Sequence, residues 1–294
     1  MTAEISLLDA DVVSAFPEYK ITTPRLGEGS FKAAFLASAG EETFVLKILL
    51  GSGDSGPGEE VVLDQRFIRE IQVMAELDSP RIVKLHTPVS TRLIGSSVKI
   101  WYGEPHYSGG SLDAVMANRK LSKRETTNLA FHLLEGLHSL ESAGIVHRDI
   151  KPGNICQTGE GGFVLLDLGI AQVLSLDPLT QTGAVSPKTN PYAAPEQFMA
   201  RGQTSIDART DLFAAGIVLF EAVTGRHPFL ESATMSFDTY FRRLTNHQPG
   251  QLAAYGCDSA LQTVIDRCLA GRQNRRFRNV AHALNHLKEL ESAL

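Results

Sequence analysis

The segment with the clearest capacity for chemistry lies at residues 145–154, with the sequence IVHRDIKPGN. It places a carboxylate, an ammonium group and an amide close together, at Asp149, Lys151 and Asn154. A carboxylate can take a proton from a hydroxyl nucleophile, a lysine can neutralise a phosphoryl group in transfer, and an amide can help to hold a divalent cation. The Pro-Gly pair within the segment predicts a loop on which these side chains can converge. An ordinary polar surface loop is the alternative interpretation.

Three further charges stand where the apolar pattern predicts burial. Lys47 lies within FVLKILL, Glu70 falls on the apolar stripe of a predicted helix, and Asp167 is the charged residue of FVLLDLGIAQVL. A buried charge without a partner is costly, so such residues are rare unless they are compensated. Each could instead extend its charged end to water from the edge of the core. For the three together we predict that Lys47 pairs with Glu70 and that Asp167 faces a cation or metal.

A glycine-containing loop precedes Lys47, at residues 26–32 with the sequence LGEGSFK. Without side chains at Gly27 and Gly29, backbone N–H groups could approach phosphate oxygens closely. The loop leads into a strand rather than a helix, which excludes a dinucleotide-binding motif. A simple hairpin turn is the alternative, and Lys32 stands where a third glycine would complete the pattern.

The elements that must carry these residues change in character near residue 110. Before it, short apolar runs alternate with Gly and Pro, which predicts strands; one helix interrupts them at Val61–Leu77. The predicted strands are Arg25–Ala37, Glu42–Leu50, Ile82–Leu85, Thr91–Ile94 and Val98–Tyr102. After residue 110 the periodicity is mainly helical, most clearly at Leu121–Ser142, Asp211–Thr224, Ala260–Leu269 and Val280–Leu294. The apolar stretch Ser6–Phe16 suits a short helix that docks either on the strands or on a partner.

Composition excludes several classes of protein. The 294 residues are 43% hydrophobic with a formal net charge of −5, so we expect neither nucleic acid nor an anionic membrane as a partner. No apolar stretch approaches the length of about 20 residues that a membrane span needs. The acidic first residues do not resemble a secretory leader. Three cysteines without CxxC spacing fit reduced thiols, so we expect a cytoplasmic location.

In their order along the chain, these motifs resemble those of the eukaryotic-type (Hanks-type) Ser/Thr protein kinases, over about residues 19–290. The matching positions are Gly27 and Gly29, Val45-Leu46-Lys47, Glu70, His147-Arg148-Asp149 with Lys151 and Asn154, Asp167-Leu168-Gly169, Ala194-Pro195-Glu196, Asp211 and Arg276. We expect a bacterial member of the family. The resemblance implies an α+β, two-lobed fold. Its predicted parts are an N-terminal extension at 1–18, a small antiparallel β lobe with one helix at 19–105, and a larger, mainly helical lobe at 106–294.

The resemblance assigns the phosphate chemistry to the second lobe. Asp149 would orient and deprotonate the substrate hydroxyl, and Lys151 would contact the γ-phosphate. Asn154 and Asp167 would hold Mg²⁺, or Mn²⁺ in its place. Lys151 is the form typical of Ser/Thr kinases, and Thr189 matches a threonine that contacts the catalytic Asp and Lys.

The nucleotide and structural roles are carried over in the same way. Lys47 would bind the α- and β-phosphates of ATP while paired to Glu70, with Gly27 and Gly29 above them. The backbone between residues 104 and 107 would receive adenine. The resemblance also implies that Asp211 anchors the catalytic loop and that Arg276 pairs with Glu196.

Three positions depart from the family pattern. Lys32 replaces the third glycine, and Leu168 replaces the usual Phe. Glu104 stands just inside the adenine-binding segment, where apolar residues are usual. None of the three removes a catalytic group.

The segment between Asp167 and Glu196 carries several hydroxyl groups. Arg148 beside the catalytic Asp implies a basic pocket that a phosphorylated segment could neutralise. We predict autophosphorylation at Thr180, Thr182 or Ser186, with self-association for transfer between copies; merely solvated hydroxyls are the alternative. Two other functions remain open: a pseudokinase that binds nucleotide as a scaffold, and a small-molecule phosphotransferase. Retention of all the catalytic groups argues against the first, and the Ala-Pro-Glu segment against the second.

Overall fold

The structure, a computed structural model, describes residues 7–29, 32–50, 65–168, 190–199, 206–232, 234–246 and 252–291. The chain divides into two units. The first consists of Met1–Glu76 and Val83–His106, and the second of Leu77–Ile82 and Tyr107–Leu294. The α+β class predicted from the periodicity is confirmed, with strands dominating the first unit and helices the second.

The first unit is built on a five-stranded antiparallel sheet with the strand order β1-β2-β3-β5-β4. Its strands are Lys20–Glu28 (β1), Lys32–Ala39 (β2), Glu42–Leu49 (β3), Thr87–Ile94 (β4) and Ser97–Pro105 (β5). Two helices belong to the same unit, Asp9–Ala15 (α1) and Gln65–Glu76 (α2).

Alternation along the strands separates the two faces of this sheet. On β2, Ala33, Phe35 and Ala37 are fully buried while their neighbours are only partly so. These side chains form one core with Leu7, Val12 and Phe16 of the N-terminal segment and with Trp101. Helix α1 therefore docks on the sheet, as one of the two interpretations of this segment predicts.

The opposite face of the sheet carries the polar side chains of interest. Because side chains alternate along a strand, Lys47 of β3 and Tyr102 of β5 share this face, and the register pairs them directly. The ring of Phe67 on α2 lies 5.7 Å from that of Tyr102, which places α2 over the same face.

Three strand predictions need correction. The predicted strand Arg25–Ala37 is two strands, since β1 ends at Glu28 and β2 begins at Lys32. The register pairs β1 and β2 as antiparallel neighbours, so the chain reverses direction between them rather than continuing as one strand. The predicted strand Ile82–Leu85 is a single bridge from Ile82 to Leu165. Strand β4 begins at Thr87, earlier than its apolar residues indicated.

The second unit is mainly helical. Its helices are Leu112–Asn118 (α3), Lys123–Ser142 (α4), Ala208–Thr224 (α5), Phe237–Thr245 (α6), Ser259–Cys268 (α7) and Val280–Glu291 (α8). A short hairpin of Ile155–Gln157 (β6) and Phe163–Leu165 (β7) follows the loop at residues 145–154. The sequence did not predict α3 or α6, both of which are short.

Helix α5 is the central helix of this unit. Most of its residues are buried on every side, as expected for a helix without a polar face. Asp207 caps its N-terminus by accepting the N–H of Arg209, and Gly225 ends it in the left-handed conformation with φ of +72°. Among the described residues, no helix has both the length and the apolar composition that crossing a bilayer requires.

Candidate active site

Helix α5 anchors the loop that carries Asp149. The carboxylate of Asp211 accepts the backbone N–H groups of His147 and Arg148, each at 2.7 Å. Arg148 has a φ of +66°, a conformation that a non-glycine residue keeps only when its surroundings enforce it. Burial raises the pKa of the Asp211 carboxyl, although the two N–H groups oppose the shift. The predicted anchoring contact is confirmed.

Asp149, Lys151 and Asn154 meet in one hydrogen-bonded group. Oδ2 of Asp149 accepts from Nζ of Lys151 at 2.8 Å and from Nδ2 of Asn154 at 2.8 Å. Nδ2 of Asn154 also donates to the backbone oxygen of Asp149 at 2.9 Å. Asp149 is only 9% exposed, so its carboxylate is both partly desolvated and fixed in orientation. Since both side-chain donors contact Oδ2, Oδ1 is the oxygen that a hydroxyl group could approach.

Backbone hydrogen bonds bring Asp167 to the same loop. The N–H of Leu166 donates to the backbone oxygen of Asn154 at 2.8 Å, and the imidazole Nε2 of His147 lies 3.1 Å from the backbone oxygen of Leu166. Asp167 follows directly with a φ of +42°, again in the left-handed region. Leu168 is buried, which agrees with an apolar packing role at this position. The second unit thus holds three of the predicted catalytic and metal-binding residues on one loop and the fourth, Asp167, just after the hairpin that follows it.

A buried ion pair lies beside the first turn of α5, near the anchored loop. Nη1 of Arg276 lies 2.6 Å from Oε1 of Glu196, and Nη2 lies 2.9 Å from Oε2. The two side chains are 0% and 3% exposed, and Thr210 donates a further hydrogen bond to Glu196. The predicted pair is confirmed, whereas the part played by Thr210 had no counterpart in the sequence analysis.

The glycines of the first unit lie beside open space. A Cβ atom added at Gly27 would meet nothing within 4 Å, and one at Gly29 would only reach the backbone oxygen of Lys32 at 4.0 Å. Among the residues that the structure describes, none packs closely enough to require glycine at either position. Glycine there does leave room for a ligand to approach the backbone closely, which fits phosphate oxygens.

The predicted pairing of Lys47 with Glu70 is wrong. Nζ of Lys47 lies 3.1 Å from Oε2 of Glu104, and Oε1 of Glu70 lies 2.6 Å from Nζ of Lys32. Lys47 and Glu70 each have a partner of opposite charge, but each is paired with another residue and not with the other. Sequence reasoning missed Lys32 and Glu104 as partners, although each had been identified as a departure from the family pattern.

Several predicted positions lie outside the described residues. They are the activation-segment hydroxyl residues Thr180, Thr182, Ser186 and Thr189, together with Gly169. Within the described ranges, no group of three or more His, Cys, Asp or Glu side chains is placed to hold a metal ion.

The arrangement in the second unit can take a proton from a hydroxyl group and stabilise the negative charge that develops nearby. The Asp149 carboxylate can accept a proton, and the Lys151 ammonium beside it can stabilise negative charge that develops on an attacked group. The first unit contributes a buried lysine and open glycine backbone, both suited to phosphate.

Comparison with known proteins identifies relatives among the protein kinases. A family model described as the protein kinase domain matches residues 21–287. A probable serine/threonine-protein kinase of Corynebacterium efficiens is 38% identical over 173 residues, or 58% of this chain and 26% of that protein. The probable serine/threonine-protein kinase PknB of Bifidobacterium longum is 34% identical over 220 residues, or 71% of this chain and 31% of that protein.

A longer match extends over most of the chain. The serine/threonine-protein kinase PknJ of Mycobacterium tuberculosis is 29% identical over 282 residues, which cover 92% of this chain and 45% of that protein. The chain therefore spans less than half the length of each of these three relatives.

Proposed function

Because this chain belongs to the protein kinase domain family, we propose that it transfers the γ-phosphate of ATP to serine and threonine hydroxyls of proteins. The observation that carries the proposal is the hydrogen-bonded group of Asp149, Lys151 and Asn154, held by Asp211. The names of the relatives, all serine/threonine-protein kinases, support the same class of acceptor.

In this proposal Asp149 is the general base. A substrate hydroxyl donates its hydrogen bond to Oδ1 of Asp149, which aligns the oxygen for attack and takes its proton as the bond to phosphorus forms. Lys151, 2.8 Å from the same carboxylate, places a positive charge beside the transferring group. Asn154 fixes the carboxylate so that little reorganisation is needed during the reaction.

The first unit supplies groups for the nucleotide. Lys47 contacts the α- and β-phosphates, and the backbone at Gly27 and Gly29 lies over them without side chains in the way. The backbone of residues 104–107 receives adenine. These roles rest on the family resemblance, and the open space beside both glycines supports them.

The divalent cation is proposed to be Mg²⁺, with Mn²⁺ as a substitute. Mg²⁺ is bound by one or two hard oxygen ligands from the protein together with substrate phosphates, and Asn154 and Asp167 supply oxygens of that kind. The hydrogen bonds of Asn154 use its Nδ2 group, so its Oδ1 remains suitable as a ligand. When bound, the cation neutralises charge on the phosphates.

Two regulatory and cellular features complete the proposal. The chain phosphorylates its own segment at Thr180, Thr182 or Ser186 by transfer between two copies. It acts in the cytoplasm, where cysteines such as the free Cys156, Cys257 and Cys268 remain reduced.

Phosphate transfer from radiolabelled ATP to the protein itself and to a generic basic protein tests the activity. The Asp149→Asn variant should lose about 10²–10⁴-fold in rate because the general base is gone. Mass spectrometry of the incubated wild type should locate new phosphate on Thr180, Thr182 or Ser186. A wild type no faster than Asp149→Asn would instead identify a nucleotide-binding scaffold.

A further inference from the structure

Two ion pairs lie on the same face of the sheet in the first unit, one of them buried and the other with a partly exposed lysine. Lys47 pairs with Glu104 at 3.1 Å, and Lys32 pairs with Glu70 at 2.6 Å. The family resemblance implies the carboxylate of helix α2 beside Lys47. The carboxylate found there comes from strand β5 instead.

The register of the sheet determines the pair between Lys47 and Glu104. Strand β3 runs antiparallel to β5, with Val45 opposite Glu104 and Lys47 opposite Tyr102. Lys47 and Glu104 are therefore diagonal neighbours on one face, at a separation that long side chains span. Their side chains are 7% and 3% exposed, so solvent screens their attraction little.

The carboxylate of α2 has a different cationic partner. Lys32 begins strand β2, and its Nζ reaches Oε1 of Glu70, whose side chain is only 1% exposed. The same Nζ lies 5.7 Å from the centre of the Tyr102 ring, so an aromatic face also stabilises this cation. The substitution of the third glycine of the loop by Lys32 thus supplies compensation for Glu70.

We propose that Glu104 positions Lys47 for its contact with the phosphates of ATP. This inference rests on the proposed function. A lysine ammonium has three N–H donors, so one can bind Glu104 while the others point to phosphate oxygens. Since both residues lie on paired strands, the sheet holds the lysine in place whatever the position of α2. Lys32 and Glu70 then form a separate pair that joins β2 to α2.

The first experiment compares two carboxylate-to-amide changes of equal size. Glu104→Gln should lower kcat/KM for ATP by about 10–100-fold, because a small displacement of a positioned group has effects of that order. The fold-loss of kcat/KM for ATP caused by Glu70→Gln should be at least ten times smaller than the loss caused by Glu104→Gln. Glu42→Gln, at an exposed position that begins β3, serves as the neutral control. A larger loss from Glu70→Gln than from Glu104→Gln would overturn the proposal.

The second experiment asks whether Glu104 acts through Lys47. Binding of a non-hydrolysable ATP analogue with Mg²⁺ is measured by calorimetry for Lys47→Met, Glu104→Gln and the double variant. Glu104→Gln should weaken binding several-fold in the wild-type background and less than twofold in the Lys47→Met background. Equal losses in both backgrounds would indicate a merely structural role and would overturn the proposal.

Melting temperatures are recorded for every variant. If Glu104→Gln does not fold, Glu104→Asp replaces it in the same cycle, since the shorter carboxylate keeps the charge and alters only its reach. Failure of the proposed function has a distinct signature: the wild type would transfer no phosphate, while the analogue-binding cycle would still show coupling of Lys47 and Glu104. A wild type that neither transfers phosphate nor binds the analogue would overturn both proposals.

Discussion

The carboxylate of Asp211 lies 2.7 Å from the backbone nitrogen of Arg148, a residue held at φ +66°. A non-glycine residue in the left-handed region costs about 1–3 kcal/mol, which the structure around it must offset. The buried Asp211 carboxylate accepts two charge-assisted hydrogen bonds from backbone N–H groups, and these provide that offset. The geometry of Asp149, which follows Arg148, therefore depends on a side chain that touches neither substrate nor nucleotide.

The variant Asp211→Asn tests this dependence. An amide retains one acceptor oxygen but directs an NH₂ group at the other backbone donor, so one buried N–H loses its acceptor. We expect a loss of about 2 kcal/mol in the free energy of unfolding and at least a tenfold fall in kcat. Urea unfolding and steady-state kinetics at saturating ATP measure the two effects. Asp238→Asn, at an exposed position on α6, is the control, and a wild-type kcat in Asp211→Asn would contradict the prediction.

Removing one partner of the ion pair between Arg276 and Glu196 should lower the free energy of unfolding more than removing the charges of both partners together. Arg276→Met leaves the Glu196 carboxylate buried without its guanidinium, which should cost about 3–5 kcal/mol. Calorimetric unfolding measures the loss. Combining Arg276→Met with Glu196→Gln should recover part of it, because the buried charge is then absent. If the double variant is as unstable as the sum of the single variants, the pair is not coupled as the distances indicate.

The sequence predicted the site of the second unit better than that of the first, for a physical reason. Asp149, Lys151 and Asn154 lie on one loop, so their proximity follows from short separation along the chain. The more distant contacts of Asp211 and of Arg276 with Glu196 followed from the order of motifs. Each of these contacts is present in the structure.

The lysine pairs of the first unit illustrate the limit of such reasoning. A buried charge shows that a partner exists, but the register of β3 against β5 decides which carboxylate is within reach of Lys47. Lys32 and Glu104 depart from the family pattern, but no local sequence pattern links them to Glu70 and Lys47. Helix α6 was missed because only Tyr240 and Leu244 of it are buried, too few for a clear period.

His227 makes the stability of the second unit dependent on pH. Its Nδ1 accepts the backbone N–H groups of Phe229 and Leu230 at 3.2 and 3.0 Å, and Nε2 lies 2.9 Å from the backbone oxygen of Pro191. Burial lowers the pKa of His227 to about 4 from an ordinary value of 6.5. Protonation would place a hydrogen on Nδ1 against two N–H donors, so the folded state favours the neutral ring.

The sign of the effect follows from proton linkage. Between pH 6.5 and about 4 the unfolded chain binds a proton that the folded chain does not, so stability falls as the pH falls through this window. The contribution is complete above pH 6.5 and amounts to at most about 3 kcal/mol. His227→Asn should reduce the difference between the free energies of unfolding at pH 7 and pH 5. His282→Asn, at an exposed position, should leave this difference unchanged. Equal pH dependence in wild type and His227→Asn would exclude the assignment.

Helix α1 should be a structural part of the first unit rather than a detachable extension. Phe16 and Val12 are fully buried against the sheet, and the ring of Phe16 meets Trp101 edge-on at 5.0 Å between centres. The guanidinium of Arg92 lies 4.7 Å from the centre of the Phe16 ring and donates to the backbone oxygen of Ala15. Aromatic packing, a cation and a backbone acceptor thus hold the end of α1 to β4 and β5.

Phe16→Ala should therefore destabilise the first unit by about 3–5 kcal/mol, the usual cost of removing a buried aromatic ring. The single tryptophan of the chain reports directly on this contact, so its fluorescence during urea unfolding measures the loss. Val13→Ala, on the same helix but 42% exposed, should change stability by less than about 1 kcal/mol. If Phe16→Ala left the tryptophan transition where it is in the wild type, α1 would contribute nothing to the folded unit, and its buried residues would have to serve a partner instead.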